Sequence, residues 1–139
     1  SPKAKLKFAC SPFCFGKYFF HQSGNKYIML GCEAYDSFFS LTQDLSKYYA
    51  GMVALEFVDK MTMEGDYNND LFVVTLKFLK ELCYGQYKTE MLVGLFLKRA
   101  LGFLGYDDEE MSILEYYEYL KMEFSVEIKA LKMYCDINN

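Results

Sequence analysis

The sequence predicts an α+β protein, mostly α, in which a β hairpin precedes a bundle of about five helices. Three observations predict it. Lys3, Lys5 and Lys7 alternate with Ala4, Leu6 and Phe8, and strand-like aromatic runs continue as far as Gly31. From Glu33 onward apolar positions recur at three and four residues, the period of a helix. Apolar residues make up 53% of the 139 and charged residues 24%, enough for a packed core. The expected organisation is a β segment over 1–32 and a helical domain over 33–139.

The first element is the hairpin. "FGKYFFHQ" and "KYIMLGC" are rich in aromatic and β-branched residues, and "SGN" between them is a turn signal. Two or three strands do not stand alone in water, so they need more sheet, a helix layer or another chain. The first helix is expected in "SLTQDLSKYYAGMVALEFVDKM", capped at Thr42, with Leu45, Tyr49, Met52 and Leu55 or Glu56 on one face. Gly51 inside it implies close approach of a neighbouring backbone.

After "EGDYNN", Asn68 or Asn69 caps "DLFVVTLKFLKELCYG", which Gly85 ends. Thr89 opens a third helix, closed by Gly105 and apolar nearly all round, as expected of a bundle centre. The carboxylates of "DDEE" suit the first turn of the next helix, where the macrodipole favours negative charge. Ser112 with Glu115 forms a capping box for "ILEYYEYLKMEF". "SVEIKALKMY" is the last helix, fraying into "CDINN".

Charge is distributed unevenly. Residues 1–32 hold Lys3, Lys5, Lys7, Lys17 and Lys26 and no acid, a charge of +5, whereas the remainder carries −9. A basic end on an acidic body is the pattern of a surface that touches a polyanion, or of a strand whose outer face lysines solvate. In the same stretch Phe13, Phe15, Tyr18, Phe19 and Phe20 lie among the lysines. That mixture suits single-strand binding, with cations on phosphates and rings on bases; alternate rings facing a sheet core would give the same pattern.

Signals for catalysis are poor. The sequence has no glycine-rich phosphate loop, no GxSxG and no pair of histidines on a helix face. "DDEE" lacks the ligand spacing and central glycine of a calcium loop. Cys10, Cys14, Cys32, Cys83 and Cys135 are odd in number and scattered, and His21 is the sole imidazole. These are read as buried or half-buried thiols, with no metal and no cofactor assigned. No apolar run is long enough for a membrane span and none of the early stretches reads as a signal peptide, so an intracellular protein is expected.

"LKFACSPF", with Leu6, Lys7, Ala9, Pro12 and Phe13, resembles the "LKGALQPF"-type segment of the bacterial recombination mediator protein O (RecO) family. In the same order, "LTQDLSKYYAGMVALEFVDKM" resembles that family's first long helix and "NNDLFVVTLKFLKEL" the next. "LFLKRALGFLGY" is similar to its "FELRLLALLGY" at Phe96, Arg99, Leu101, Leu104, Gly105 and Tyr106. The resemblance implies that the β segment is a remnant of an OB-fold, the family's preceding strands being absent from this chain. Where many members carry a cysteine-rich zinc module, this sequence passes to "DDEE", so no zinc ion is implied.

For function the resemblance implies a cytoplasmic, nucleoid-associated, non-enzymatic factor of recombination and repair. Such a factor binds single- and double-stranded DNA, aids annealing, docks the acidic tail of single-stranded-DNA-binding protein, and helps load the recombinase with recombination protein R. The residues expected to meet nucleic acid are Lys3, Lys5, Lys7, Lys17 and Lys26, with Tyr18 and Phe20 stacking. Those expected to meet the tail are Phe96, Leu101 and Leu104, with Lys98 and Arg99 for its carboxylates. Gly94 and Leu95 stand where a tail-binding relative has adjacent arginines. The competing expectation is a helical protein-interaction domain without DNA binding, which the net charge of −4 favours.

Overall fold

A computed structural model describes residues 12–63, 65–66, 68–106 and 109–139. Lys3, Lys5, Lys7 and Cys10 therefore lie outside the described residues. Within these residues the chain is the expected α+β fold, a two-stranded antiparallel hairpin followed by five α-helices. It divides into two compact units, one ending at Phe39 and the other running Ser40–Asn139.

The hairpin consists of β1 (Phe15–Ser23) and β2 (Lys26–Asp36). Ser23 pairs with Lys26, so the connection is the two residues Gly24 and Asn25. Gly24 has φ +61, a left-handed conformation at the first turn position that matches the twist of paired strands. β2 runs on to Asp36, past Gly31 where the sequence reading ends the strands, because Glu33, Ala34 and Asp36 still pair with β1. Its register slips at two places along the ladder. One slip lies beside Gly16, where a Cβ would fall on the Glu33 carbonyl oxygen and 2.9 Å from Ala34 Cα, so only glycine fits.

A 3-10 turn, Phe39–Gln43, leads into α1 (Leu45–Met61). Its cap is Asp44, whose Oδ1 accepts from Lys47 N–H at 3.0 Å, and not Thr42, which the 3-10 turn takes up. The buried face also differs from the expected one. Ala50, Gly51, Val53, Ala54 and Phe57 are buried, whereas Leu45 is 60% exposed. Small side chains let α1 approach its neighbours closely, so the buried stripe follows size as well as apolarity.

α2 (Asn69–Tyr84) is capped by Asn68, whose Oδ1 accepts from Leu71 N–H at 2.9 Å, and ends at Gly85. α3 (Thr89–Phe103) packs against α1, α2 and α4, as expected of a bundle centre. Its end is a Schellman motif. Gly105 has φ +88, and Tyr106 N–H donates to the Leu101 carbonyl at 3.0 Å. One strip of α3 stays open, however, with Met91 and Leu95 exposed.

α4 (Ile113–Phe124) starts at Ser112, whose Oγ accepts from Glu115 N–H at 3.2 Å. Glu109 and Glu110 lie before this cap and not in the first turn of α4 as expected; Glu115 is the acid there. α4 ends at Ser125 in the left-handed region, φ 56, where a Cβ is strained. Ser125→Gly should raise the unfolding free energy by about 0.5–1 kcal/mol in a urea titration. A fall instead would mean that the serine holds the turn.

α5 (Lys129–Ile137) starts later and ends later than the sequence reading has it, and does not fray at Cys135. Its first turn has no acceptor of its own, since the Ile128 cap position lacks a polar side chain. Glu56 of α1 supplies it, accepting from Lys129 N–H at 3.0 Å and Ala130 N–H at 2.8 Å. The core of the helical unit centres on Phe96, 5.8 Å from Phe57 and 5.0 Å from Phe78 between ring centroids. Among the described residues no helix is long and apolar enough to cross a membrane.

Candidate functional site

The hairpin sorts its polar and aromatic side chains onto two faces. Successive residues of β1 alternate sides, so Tyr18 and Phe20 share one face and Lys17, Phe19 and His21 the other. Tyr27, across from Gln22, joins Tyr18 and Phe20 in an aromatic row, with centroid separations of 6.4 and 6.5 Å. Tyr18 Oη donates to the Cys14 carbonyl at 3.1 Å, which pins its ring. Tyr27 is 67% exposed and absent from the sequence-predicted set; only the register of the turn puts it beside Phe20.

Lys26 pairs with Ser23 and so shares the Lys17 face. Lys17 and Lys26, the expected cations that are described, thus lie on the opposite side of the sheet from the expected stacking rings. Lys17 Nζ sits 5.6 Å from the Phe19 ring centroid, a cation–π contact, and Lys17 stands in register with Glu33. In the described hairpin Lys17 and Lys26 are matched by Glu33 and Asp36. The positive excess of the basic segment therefore resides in Lys3, Lys5 and Lys7. Phe19, Phe20, Tyr27, Ile28, Leu30 and Tyr35 are all exposed, and among the described residues nothing covers them.

The helical unit carries a groove of about 430 Å³ between α2 and α3. Val74, Phe78, Leu92 and Phe96 form its floor, Met91 and Leu95 one wall, and Tyr87 lies across its end. Lys77 and Arg99 stand at the rim with Glu81. Neither cation is in an ion pair with a described residue. That setting is unusual here, because the unit as a whole holds 10 Lys+Arg against 17 Asp+Glu.

Of the residues expected to meet a tail, the structure brings Arg99 to this groove and puts Phe96 in its floor, 1% exposed. Leu101, also 1% exposed, is core, and Leu104 caps the end of α3; neither lines the groove. The reason is helical phase: residues 97, 100 and 101 turn toward the other helices of the bundle. Lys98 lies on the far side of the Leu95 ridge, in a second groove. Lys77, Tyr87 and Met91 escape the sequence reading. The Met91–Leu95 spacing is a detectable signal, but Lys77 joins them only through the packing of α2 on α3.

Cys14, Cys32, Cys83 and Cys135 are half-buried and none is in a disulfide. Burial, with Asp136 and Glu90 adding to it, pushes the Cys135 thiol up, away from the nucleophilic thiolate. Among the described residues no three His, Cys, Asp or Glu side chains are grouped to hold a metal ion.

The described residues thus form an α+β fold with exposed rings on the hairpin and an apolar, cation-rimmed groove in the helical unit. Comparison with known proteins gives a family likeness. The model of the recombination protein O C-terminal region matches residues 42–107, which are α1 to α3 and their connections. The DNA repair protein RecO of Desulforamulus reducens is 27% identical over 104 residues, covering 75% of this chain and 40% of the relative. The chain thus spans about two-fifths of the length of the curated relative it matches. No solved structure matches it. The chain is thus similar to the recombination protein O family over α1 to α3.

Proposed function

We propose that this chain acts as a non-enzymatic mediator of DNA recombination and repair that joins a protein tail to nucleic acid. The helical unit docks the acidic, hydrophobic tail of single-stranded-DNA-binding protein in the groove between α2 and α3. The hairpin takes single- and double-stranded DNA through Lys17 and Lys26, together with Lys3, Lys5 and Lys7. Further strands close the apolar faces of the hairpin as an OB-fold, and recombination protein R is the partner in recombinase loading and annealing.

The observation that carries this reading is the pair Lys77 and Arg99 beside an apolar floor in an otherwise acidic unit. A peptide ending in an apolar side chain and a carboxylate satisfies both features at once. Titration of the full chain with a labelled tail peptide tests it. Arg99→Glu should weaken binding about tenfold or more, while Lys121→Glu, away from the groove, leaves it unchanged. Equal affinity in the Arg99 variant would refute the docking site.

A second reading, a protein-interaction domain without DNA binding, is favoured by the matching of Lys17 and Lys26 with Glu33 and Asp36. Salt separates the two. Affinity for single-stranded DNA that falls steeply with salt, and is lost on replacing Lys3, Lys5, Lys7, Lys17 and Lys26 by alanine, supports the mediator. Absence of binding at low salt supports the interaction domain.

A further inference from the structure

On its other side α3 borders a second groove, of about 580 Å³, which faces the segment Glu110–Ile113. Gly94 lies near the middle of the stretch from Lys88 to Lys98 that lines it. Glycine is unfavourable inside a helix and is kept where something must come close to the backbone. Among the described residues nothing does: a Cβ on Gly94 would meet only Ile113 Cδ1, at 3.8 Å, an ordinary contact. Met91 and Leu95 stand beside it, 49% and 38% exposed. The charges of the lining are two of each sign, Lys88 and Lys98 with Glu90 and Glu110. None of the four is in an ion pair with a described residue. The patch is thus neutral in a unit where acids outnumber bases 17 to 10.

We propose that this face of α3 pairs with the same face of a second copy of the chain, the two α3 helices crossing antiparallel about a twofold axis at Gly94. Charge selects that occupant. A face that meets its own copy must complement itself, which takes both signs, whereas an acidic or a basic partner leaves half of the lining unmatched. The acid excess of the unit opposes self-association in general, and this neutral patch does not. Glu90 and Lys98 lie four residues before and four after Gly94, so the antiparallel crossing sets Glu90 of one copy against Lys98 of the other, twice over. Gly94 leaves no Cβ between the two backbones, so the axes approach to about 8 Å or less, and Leu95 of each copy enters the space over Gly94 of the other. One helix face with a short segment buries less than the roughly 800 Å² per partner of a standard interface, so the dimer is weak and forms in the micromolar range.

Self-pairing here does not depend on what occupies the groove between α2 and α3, and its test uses no peptide. Sedimentation of the full chain over rising concentration should show one monomer–dimer step. Gly94→Gln, a better helix former placed where the single chain has room for it, should weaken dimerisation about tenfold or more with no loss of melting temperature. Lys98→Glu alone and Glu90→Lys alone should each weaken it about tenfold, by setting like charges against each other. The double variant Glu90→Lys with Lys98→Glu restores opposite signs across the axis and should bring the affinity back to within about threefold of the unaltered chain.

A chain that stays monomeric into the high micromolar range overturns the proposal and leaves the groove to a different partner. So does a dimer indifferent to Gly94→Gln, or association that continues beyond two copies, since a twofold contact closes on itself. Failure of the double variant to recover, with its melting temperature intact, refutes the antiparallel register at Gly94.

Discussion

Phe96→Ala should lower the unfolding free energy by about 3–5 kcal/mol, the largest effect expected of any single substitution in the helical unit. The ring is 1% exposed and lies against Phe57 of α1 edge-on, at 80°, and against Phe78 of α2 stacked, at 30°. Removing it forfeits transfer free energy, leaves a void at the meeting point of three helices, and breaks two aromatic pairs worth about 0.5–1.5 kcal/mol each. Melting should fall by more than about 10 °C, while Phe96→Leu, which fills more of the space, loses much less. A loss of peptide affinity with stability intact would instead make Phe96 a surface contact, contrary to its burial.

Glu56→Ala should be the next most damaging change, about 2–3 kcal/mol in chemical denaturation. The carboxylate accepts from two backbone N–H groups of α5 and from Lys60 Nζ at 2.7 Å, and its side chain is 16% exposed. Lys60 also donates to the Glu127 carbonyl at 2.7 Å, so α1 grips both the start of α5 and the turn before it. Without Glu56 the first turn of α5 has no side-chain acceptor, and hydrogen exchange at Lys129 and Ala130 should accelerate first.

The pH dependence follows from the same contacts. Burial alone would raise the Glu56 carboxyl, but the hydrogen bonds from Lys60, Ala130 and Lys129 outweigh it and hold the group below the ordinary carboxylate value. A carboxyl depressed in the folded state stabilises fully above its unfolded pKa, and that contribution disappears as pH falls through the folded value. The stability gap between the unaltered chain and Glu56→Gln should therefore be constant near neutrality and close in acid. A gap that stays open below the ordinary carboxylate range would show that packing, not the charge, holds α5.

Most features set within one turn of chain were legible in the sequence, the Asp44 cap, expected at Thr42, excepted. The Gly24 turn, the Asn68 and Ser112 caps, and the ends at Gly85 and Gly105 each depend on residues no more than five apart. Features set by contact between distant segments were not. The start of α5 is fixed by a side chain 73 residues earlier. The buried stripe of α1 falls on alanines and a glycine because close helix approach selects them, and a pattern based on large apolar residues passes them by. The candidate sites divide the same way: Arg99 and the hairpin lysines stand out as charges in sequence, whereas Lys77 and Tyr27 gain meaning only from their neighbours across α2–α3 and across the strands.

By itself the chain of residues determined the class of fold, the order of a hairpin and five helices, and the likeness to a family. These depend on periodicity and on capping chemistry, both of which are local. Tertiary structure alone decided which strip of an almost wholly apolar α3 stays open to solvent, and which cations rim it. An apolar helix has no sequence-encoded outside; its exposed face is whatever its neighbours leave uncovered.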